Sequence, residues 1–397
     1  MYLNSDVYHV KGKTYDCIYN LNDGKLYHIG KDLGELIEDI NSRDKFTEEE
    51  NTCIGKLLES GILVKEEPDD KTEYNNEKFN FAWIEICDFC NLKCKHCYNE
   101  SSSIRKCFMK YEDFQYVCEQ LLDIGIKRIQ IIGGEPFCNK DIKKMIQYAQ
   151  SRFDTLEIFT NGTMLNEEWV DFIGNYKNIK LAFSVYSYIE SEHDSVTMIS
   201  GSYKRTLNTI ELVKRKKIKY RVATVHMKGC LVGEKNTELF TINPYKDIVR
   251  LAGRGSVDLL TPELLLKKLI TKETFTIPLD KRRVLNNMKG NRCFNSRLYV
   301  SCNMDVYPCV MERELSHGNL KNGNLKDLID NKICSLSKDY IEECKECEFR
   351  YACYDCRPDR ISDSLFEKPY YCTYNVNNGE WIDKDKFIEN FFDKYTV

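Results

Sequence analysis

The chain has 397 residues, a formal net charge of −4 and 42% hydrophobic residues, a composition that indicates a globular protein with two or three domains. The slight negative charge argues against nucleic acid as a partner, and the basic run 214–219 is typical of a solvated helix end. No apolar run reaches about 18 residues and the first residues lack a signal peptide, so we expect a cytoplasmic protein without membrane spans.

The cysteine content is high and unevenly distributed. Of 19 cysteines, four lie between residues 87 and 97 and nine lie between residues 293 and 372. In a chain without a secretion signal, metal binding explains such a content better than disulfides do. The clustering therefore predicts several metal sites.

Residues 1–66 have the pattern of a small separate domain. Two short strands form a hairpin, a third strand follows the turn Asn22-Asp23-Gly24, and two helices come next. The second helix is predicted to begin at Thr47, where Glu50 would complete a capping box, and a short strand at 62–64 ends the unit.

This winged-helix-like order of elements resembles the PqqD-like leader-recognition domain of enzymes that modify ribosomally made peptides. Such domains add an extended precursor segment to the edge of a sheet. A DNA-binding winged helix and a purely structural cap are the alternatives, and the many acidic residues of the predicted helices disfavour phosphate contacts. The polar segment 67–80 is predicted to be a linker.

An apolar strand that begins at Phe81 leads into a loop with Cys90, Cys94 and Cys97 at C-x3-C-x2-C spacing. Soft thiolate ligands select zinc, copper(I) or iron–sulfur clusters, and three thiolates leave one coordination position open. A zinc site would need a fourth ligand, and His96 is poorly placed because it directly precedes Cys97. The spacing therefore favours a [4Fe–4S] cluster with one open iron.

This loop, with the aromatic Tyr98 after the third cysteine, resembles that of the radical S-adenosylmethionine (SAM) enzymes. The resemblance implies that the open iron binds the amino and carboxylate groups of SAM, whose cleavage yields a 5′-deoxyadenosyl radical that abstracts hydrogen. It also implies that Tyr98 lies at the cofactor and that an external donor such as flavodoxin or ferredoxin supplies the electron.

From residue 81 onward, strands and helices alternate, which predicts βα units around a parallel sheet. The further predicted strands are 128–132, 155–159, 179–185 and 220–225. With the resemblance, this pattern predicts an α/β fold whose radical SAM core is a partial (βα)6 TIM barrel over 81–265. The segment after residue 225 lacks a helical pattern, and 245–252 is the candidate sixth strand.

Gly133-Gly134-Glu135-Pro136 follows the second predicted strand, and such loops carry the chemistry of barrels. It matches the GGE(P) element of the family, which implies that Gly133, Gly134 and Glu135 meet the amino group of SAM. Ser184, late in the fourth strand, stands where the family has a polar contact to the ribose, or it is a core serine.

Segment 186–206 is similar to the corresponding part of peptide-modifying family members, above all the thioether-forming maturases. His193 and Asp194 are either a catalytic pair or, in the interpretation that we favour, caps that orient a helix together with Ser202. The sequence does not identify a catalytic residue.

Residues 291–397 resemble the cysteine-rich SPASM (twitch-type) extension, which carries two auxiliary iron–sulfur clusters, and 266–290 would be a connector. By that pattern the outer cluster is held by Cys344, Cys347, Cys353 and Cys372. The inner cluster is held by Cys293, Cys309 and Cys356. The family's fourth inner cysteine is missing upstream, so either Cys302 replaces it, as we favour, or one iron stays open. Two structural zinc sites are the alternative, because C-x2-C pairs permit them.

The resemblance as a whole predicts a radical SAM maturase of a ribosomally synthesised precursor peptide that carries a leader. The expected product is a cross-link, and a cysteine thioether is preferred. A sulfatase-maturing or peptide-epimerising enzyme is one alternative, and the predicted domain at 1–66 speaks against the former. The other alternative is a non-enzymatic metal-binding scaffold that binds a peptide. The glycine motif, which lies in register with the cysteine loop, disfavours it.

Overall fold

The computed structural model describes residues 1–68, 79–230, 239 and 247–395. At the N-terminus, a three-stranded antiparallel sheet and a two-stranded ribbon accompany two helices. The elements are β1 (Tyr2–Leu3), β2 (Val7–Lys11), β3 (Asp16–Asn20), β4 (Lys25–Ile29), α1 (Lys31–Asp39), α2 (Glu48–Glu59) and β5 (Leu63–Val64). Helix α2 begins where the sequence predicts, because Thr47 and Glu50 form the expected capping box. Strand β1, which pairs with β5, is not predicted from the sequence.

The centre of the molecule alternates strands and helices. The elements are β6 (Phe81–Glu85), α3 (Tyr111–Asp123), β7 (Arg128–Ile132), α4 (Ile142–Gln150), β8 (Thr155–Thr160), α5 (Glu167–Gly174), β9 (Ile179–Ser184), α6 (Glu190–Thr197), α7 (Ser202–Arg215) and β10 (Tyr220–Ala223). These strands are parallel and pair in chain order. Fully buried side chains such as Ile84, Ile131 and Ile158 fill the space between sheet and helices. The predicted α/β fold with a partial barrel is confirmed.

The C-terminal part continues this sheet. Its elements are α8 (Pro262–Lys268), α9 (Lys281–Lys289), β11 (Arg297–Val300), β12 (Asp305–Tyr307), β13 (Gly318–Asn319), α10 (Leu325–Leu328), α11 (Asn331–Cys334), β14 (Tyr374–Asn375), β15 (Glu380–Trp381) and α12 (Lys384–Tyr395). Strand β11 lies parallel to β6, and β12 and β13 follow antiparallel, so the sheet order in the described chain is β10-β9-β8-β7-β6-β11-β12-β13. No described helix is long and apolar enough to cross a bilayer.

The predicted sixth barrel strand, 245–252, lies partly outside the described residues. In its described part, Ile248 forms an isolated parallel bridge with His226. Further along, the Leu251 N–H donates to the Asp359 carboxylate at 2.9 Å. Because that donor is used by a side chain of the C-terminal region, the described part of this segment contributes a bridge rather than a full strand.

The N-terminal sheet packs on the C-terminal cysteine region. The Tyr19 hydroxyl donates to the Glu348 carbonyl at 2.8 Å and accepts the Ala352 N–H at 3.3 Å. The His28 ring stacks on Phe349 with 5.3 Å between centroids, and its Nε2 lies 2.9 Å from Glu348 Oε1. The predicted recognition domain therefore contacts the segment that carries most of the cysteines assigned to the outer cluster.

Candidate active site

A cavity opens at the carboxyl end of the parallel strands. The loops after β6, β7, β8 and β9 all contribute to its wall. The lining includes Cys90, Cys94, His96, Cys97, Tyr98, Gly133, Gly134, Asn161, Ser184, Tyr186 and Arg254. The structure thus brings together the three loop cysteines and, of the residues predicted to contact SAM, Tyr98, Gly133, Gly134 and Ser184. His96, Asn161, Tyr186 and Arg254 line the same cavity.

The glycine loop packs directly on the start of the cysteine loop. The Gly134 N–H donates to the Cys87 carbonyl and the Glu135 N–H donates to the Phe89 carbonyl, both at 2.8 Å. A Cβ on Gly133 would lie 2.6 Å from the Cys87 oxygen, and one on Gly134 would lie 2.2 Å from the Phe89 oxygen. Both positions require glycine because the two backbones approach so closely.

The Glu135 side chain is held by hydrogen bonds from neighbouring loops. Its carboxylate is fully buried and accepts hydrogen bonds from the Thr160 hydroxyl and the Asn161 N–H at 2.8 Å and from the Phe137 N–H at 3.2 Å. Burial raises the pKa of Glu135 to about 7, although these donors oppose the rise. Because its oxygens are engaged with the end of β8, Glu135 ties the glycine loop to the next strand, and its contact with SAM stays a prediction.

Arg254 fixes the cysteine loop from the other side. Its Nε donates to the Cys94 carbonyl and its Nη2 donates to the Ser101 carbonyl, both at 2.9 Å. The preceding residue, Gly253, has φ +57° and a Cβ there would lie 2.4 Å from the Tyr98 carbonyl oxygen. The Gly-Arg pair therefore holds the loop in place.

Tyr186 connects the end of β9 to the cysteine loop. Its hydroxyl hydrogen-bonds to the side chains of Ser184 and Cys94, and its ring contacts the edge of His96 at 4.6 Å between centroids. The buried His96 Nδ1 has no hydrogen-bond partner among the residues that the structure describes. An unpaired buried nitrogen beside a cavity is a polar group that a bound ligand can satisfy.

His193 and Asp194 do not form a catalytic pair. Asp194 accepts the Tyr203 N–H at 2.9 Å and the Ser202 hydroxyl at 2.8 Å, at the start of α7. His193 Nδ1 accepts the Tyr186 N–H at 3.2 Å, and burial lowers the pKa of His193 to about 4, so its ring is neutral near pH 7. Asp194 therefore binds the start of α7, as the capping interpretation predicts, whereas His193 contacts the end of β9.

A smaller, apolar cavity lies in the C-terminal region. It is lined by the cysteines assigned to the outer cluster, namely Cys344, Cys347, Cys353 and Cys372. Burial raises the pKa of Cys344 to about 12 and that of Cys372 to about 11. Since metals bind thiolates, metal binding here would displace protons.

A second group contains Cys293, Cys309 and Cys356. Burial raises the pKa of Cys356 to about 12, and the neighbouring Cys309 and Cys293 contribute to the rise. The Met311 N–H points at Cys309 Sγ over 3.5 Å. In the described part of the chain, no three His, Cys, Asp or Glu side chains are grouped closely enough to hold a single metal ion.

Cys302 lies beside Cys107 in the structure, and its role in completing the inner cluster stays a prediction. Its thiol shares a hydrogen bond with Cys107, whose own thiol donates to Asn303 Oδ1 at 3.1 Å. The Cys302 N–H donates to the Glu85 carboxylate at 3.2 Å. The reason is the pairing of β11 with β6, which directs the end of β11 toward the cysteine loop.

Comparison with known proteins gives the following relatives. The sequence model of the radical SAM superfamily matches residues 84–234. The antilisterial bacteriocin subtilosin biosynthesis protein AlbA of Bacillus subtilis (strain 168) is 25% identical over 324 residues, which are 75% of this chain and 71% of AlbA. The sporulation killing factor maturation protein SkfB of the same strain is 26% identical over 140 residues, 35% of this chain and about a third (34%) of SkfB. The crystal structure of Streptococcus suis SuiB bound to S-adenosylmethionine superposes with a TM-score of 0.56 at 15% identity, covering 92% of this chain and 100% of SuiB.

Proposed function

We propose that the protein is an enzyme that matures a ribosomally synthesised precursor peptide, on the premise that residues 84–234 match the sequence model of the radical SAM superfamily. The observation that carries the proposal is the single cavity that the three loop cysteines share with the glycine loop and Ser184. AlbA and SkfB, named for the biosynthesis of subtilosin and the maturation of sporulation killing factor, support the choice of substrate class.

Cys90, Cys94 and Cys97 are the ligands that we assign to the [4Fe–4S] cluster. SAM would lie against the backbone of Gly133-Gly134 and the hydroxyl of Ser184, with Tyr98 and the unpaired His96 nitrogen in the same wall. When bound, the cluster and SAM supply a 5′-deoxyadenosyl radical that abstracts hydrogen from the substrate, with the electron coming from a flavodoxin or ferredoxin. The chain's own part is to hold the loops rigid, through Arg254 and Glu135, and to keep water out.

Two auxiliary clusters complete the proposal. The outer cluster takes the four cysteines of the apolar C-terminal cavity. The inner cluster takes Cys293, Cys309 and Cys356. Because the Cys302 thiol hydrogen-bonds to Cys107 instead, one iron of the inner cluster is open to a substrate thiolate. An open iron that binds a cysteine of the precursor suits the thioether product that we prefer.

Residues 1–66 would bind the leader of the precursor. Strands β2 and β4 are the edges of the N-terminal sheet, and an extended peptide can pair with such an edge. Because Tyr19 and His28 also pack on the cysteine region, deletion of this domain would disturb the outer cluster, and the full chain must be used in tests. A synthetic leader added in trans should inhibit maturation competitively without abolishing SAM cleavage.

The central experiment compares the full chain with a Cys90/Cys94/Cys97→Ala variant after anaerobic reconstitution. The parent should hold about twelve irons per chain and form 5′-deoxyadenosine, and the variant should lose about four irons and all SAM cleavage. Cys118→Ala is the matched control, since Cys118 is buried in α3 away from the cavity. Each thioether should lower the mass of the precursor by two hydrogens and protect one cysteine from alkylation. SAM cleavage by the triple variant would refute the proposal.

A further inference from the structure

Three charged side chains lie beside the outer cysteine group and have no role in the function proposed above. The Lys338 ammonium is 3.1 Å from Asp355 Oδ1, and Asp355 also pairs with Arg357. Only 11% of the Lys338 side chain, 3% of Asp355 and 6% of Arg357 is exposed. Burying charged side chains is costly unless positive and negative charges are matched. This buried group has two cations and one anion, and therefore carries one positive charge in excess.

The excess charge faces the cysteines. Lys338 Nζ donates to Cys353 Sγ at 3.0 Å. Lys338 lines the apolar cavity of the outer group, and it also lines a neighbouring cavity to which Cys293 of the inner group contributes. The Asp355 carboxylate that pairs with Lys338 favours the charged form of the amine.

We propose that Lys338 raises the reduction potential of the outer auxiliary cluster by donating a charged hydrogen bond to its ligand Cys353. A cation at a ligand sulfur stabilises the additional electron of the reduced cluster, and the effect is large where water is excluded. The step is a one-electron reduction in which no bond forms or breaks and Lys338 retains its proton. This inference rests on the proposed function, because it requires a cluster at the four outer cysteines.

Substitution of Lys338 leaves the rest of the charged group intact. Asp355 keeps Arg357 as its partner, and Arg357 also donates to the Leu365 and Glu367 carbonyls at 3.1 and 2.9 Å. Lys338→Met therefore removes the excess charge without leaving an unpaired carboxylate. Lys345 offers a matched control, because it follows Cys344 directly but is exposed, and its charge is screened by solvent.

The test uses the full chain with Cys90, Cys94 and Cys97 replaced by alanine, so that the auxiliary clusters alone remain. Iron is measured per chain, and the midpoint potentials are determined by an EPR-monitored redox titration. In Lys338→Met, one midpoint should shift to a lower potential at full iron content while the other stays constant. Lys338→Arg should restore the shifted midpoint, and Lys345→Met should leave both unchanged.

Two results would overturn the inference. One is full iron with unchanged midpoints in Lys338→Met. The other is loss of about four irons in Lys338→Met and Lys338→Arg alike, which would make Lys338 a residue needed for assembly. Failure of the proposed function looks different: Cys344→Ala and Cys372→Ala would then contain as much iron as the parent, and no cluster would exist at this site.

Discussion

Replacement of Gly134 by alanine tests whether the close contact of the glycine and cysteine loops builds the cavity. The added Cβ would lie 2.2 Å from the Phe89 carbonyl oxygen and 2.9 Å from that of Asp88, whereas ordinary contact begins at 3.4 Å. Both obstacles are backbone atoms, which cannot rotate away. The two loops must therefore separate by about 1.2 Å, the difference between 3.4 and 2.2 Å.

This separation breaks two hydrogen bonds. The bonds from Gly134 to Cys87 and from Glu135 to Phe89 are 2.8 Å long, and a displacement of that size takes both beyond hydrogen-bonding distance. Each donor that loses its partner away from water costs ~1–3 kcal/mol, so we expect a loss of about 2–6 kcal/mol of unfolding free energy. The cavity wall moves by the same amount, and SAM affinity should fall at least about tenfold, equivalent to ~1.4 kcal/mol.

Urea unfolding of the metal-free chain under reducing conditions measures the first effect, and equilibrium dialysis of SAM with reconstituted enzyme measures the second. Gly55→Ala is the control. Gly55 lies in α2, and apart from its own neighbourhood in the helix no described atom lies within 4 Å of the position that a Cβ would take there. This change should raise the unfolding free energy by ~0.5–1 kcal/mol. An unfolding midpoint and SAM affinity equal to those of the parent in Gly134→Ala would refute the reasoning.

Three further predictions concern single side chains. Burial raises the pKa of Glu135 from 4.5 to about 7, so its neutral form stabilises the fold below pH 4.5. About 3 kcal/mol of the unfolding free energy should be lost as the pH rises to about 7. Glu135→Gln should lack this dependence, and parallel pH profiles of unfolding for variant and parent would contradict the prediction. Cys302→Ala should leave the iron content unchanged, because the Cys302 thiol hydrogen-bonds to Cys107. A loss of about four irons would instead identify Cys302 as a cluster ligand. Tyr19→Phe should lower the unfolding free energy by ~1–3 kcal/mol by unpairing the Ala352 N–H, and an unchanged thermal midpoint would count against the contact.

Much of the fold could be predicted because its determinants are local. The capping box of Thr47 and Glu50 starts a helix within four residues of sequence, and alternating apolar strands and amphipathic helices specify the βα units. The spacing of Cys90, Cys94 and Cys97 likewise places three thiols on one loop, wherever that loop lies in the molecule.

Other contacts of the site residues depend on distant segments, which the sequence does not reveal. Cys302 points to Cys107 because β11 lies beside β6, a pairing of residues 297–300 with 81–84 that leaves no local pattern. The orientation of Glu135 depends on donors at the end of β8, and Arg254 reaches the cysteine loop across about 160 residues of chain. Motif spacing predicts which residues share a loop, but the direction of a side chain depends on what the tertiary structure places next to it.

The pairing of β6 with β11 also has a consequence for synthesis on the ribosome. Phe81 is made 216 residues before its partner Arg297, the difference of the two positions. At ~5–20 residues per second, the outer edge of β6 therefore stays open for about 10–40 s in each nascent chain. An open strand edge pairs readily with other chains. A fragment that stops at residue 290 would never cover this edge, and we expect it to aggregate rather than to yield an isolated barrel.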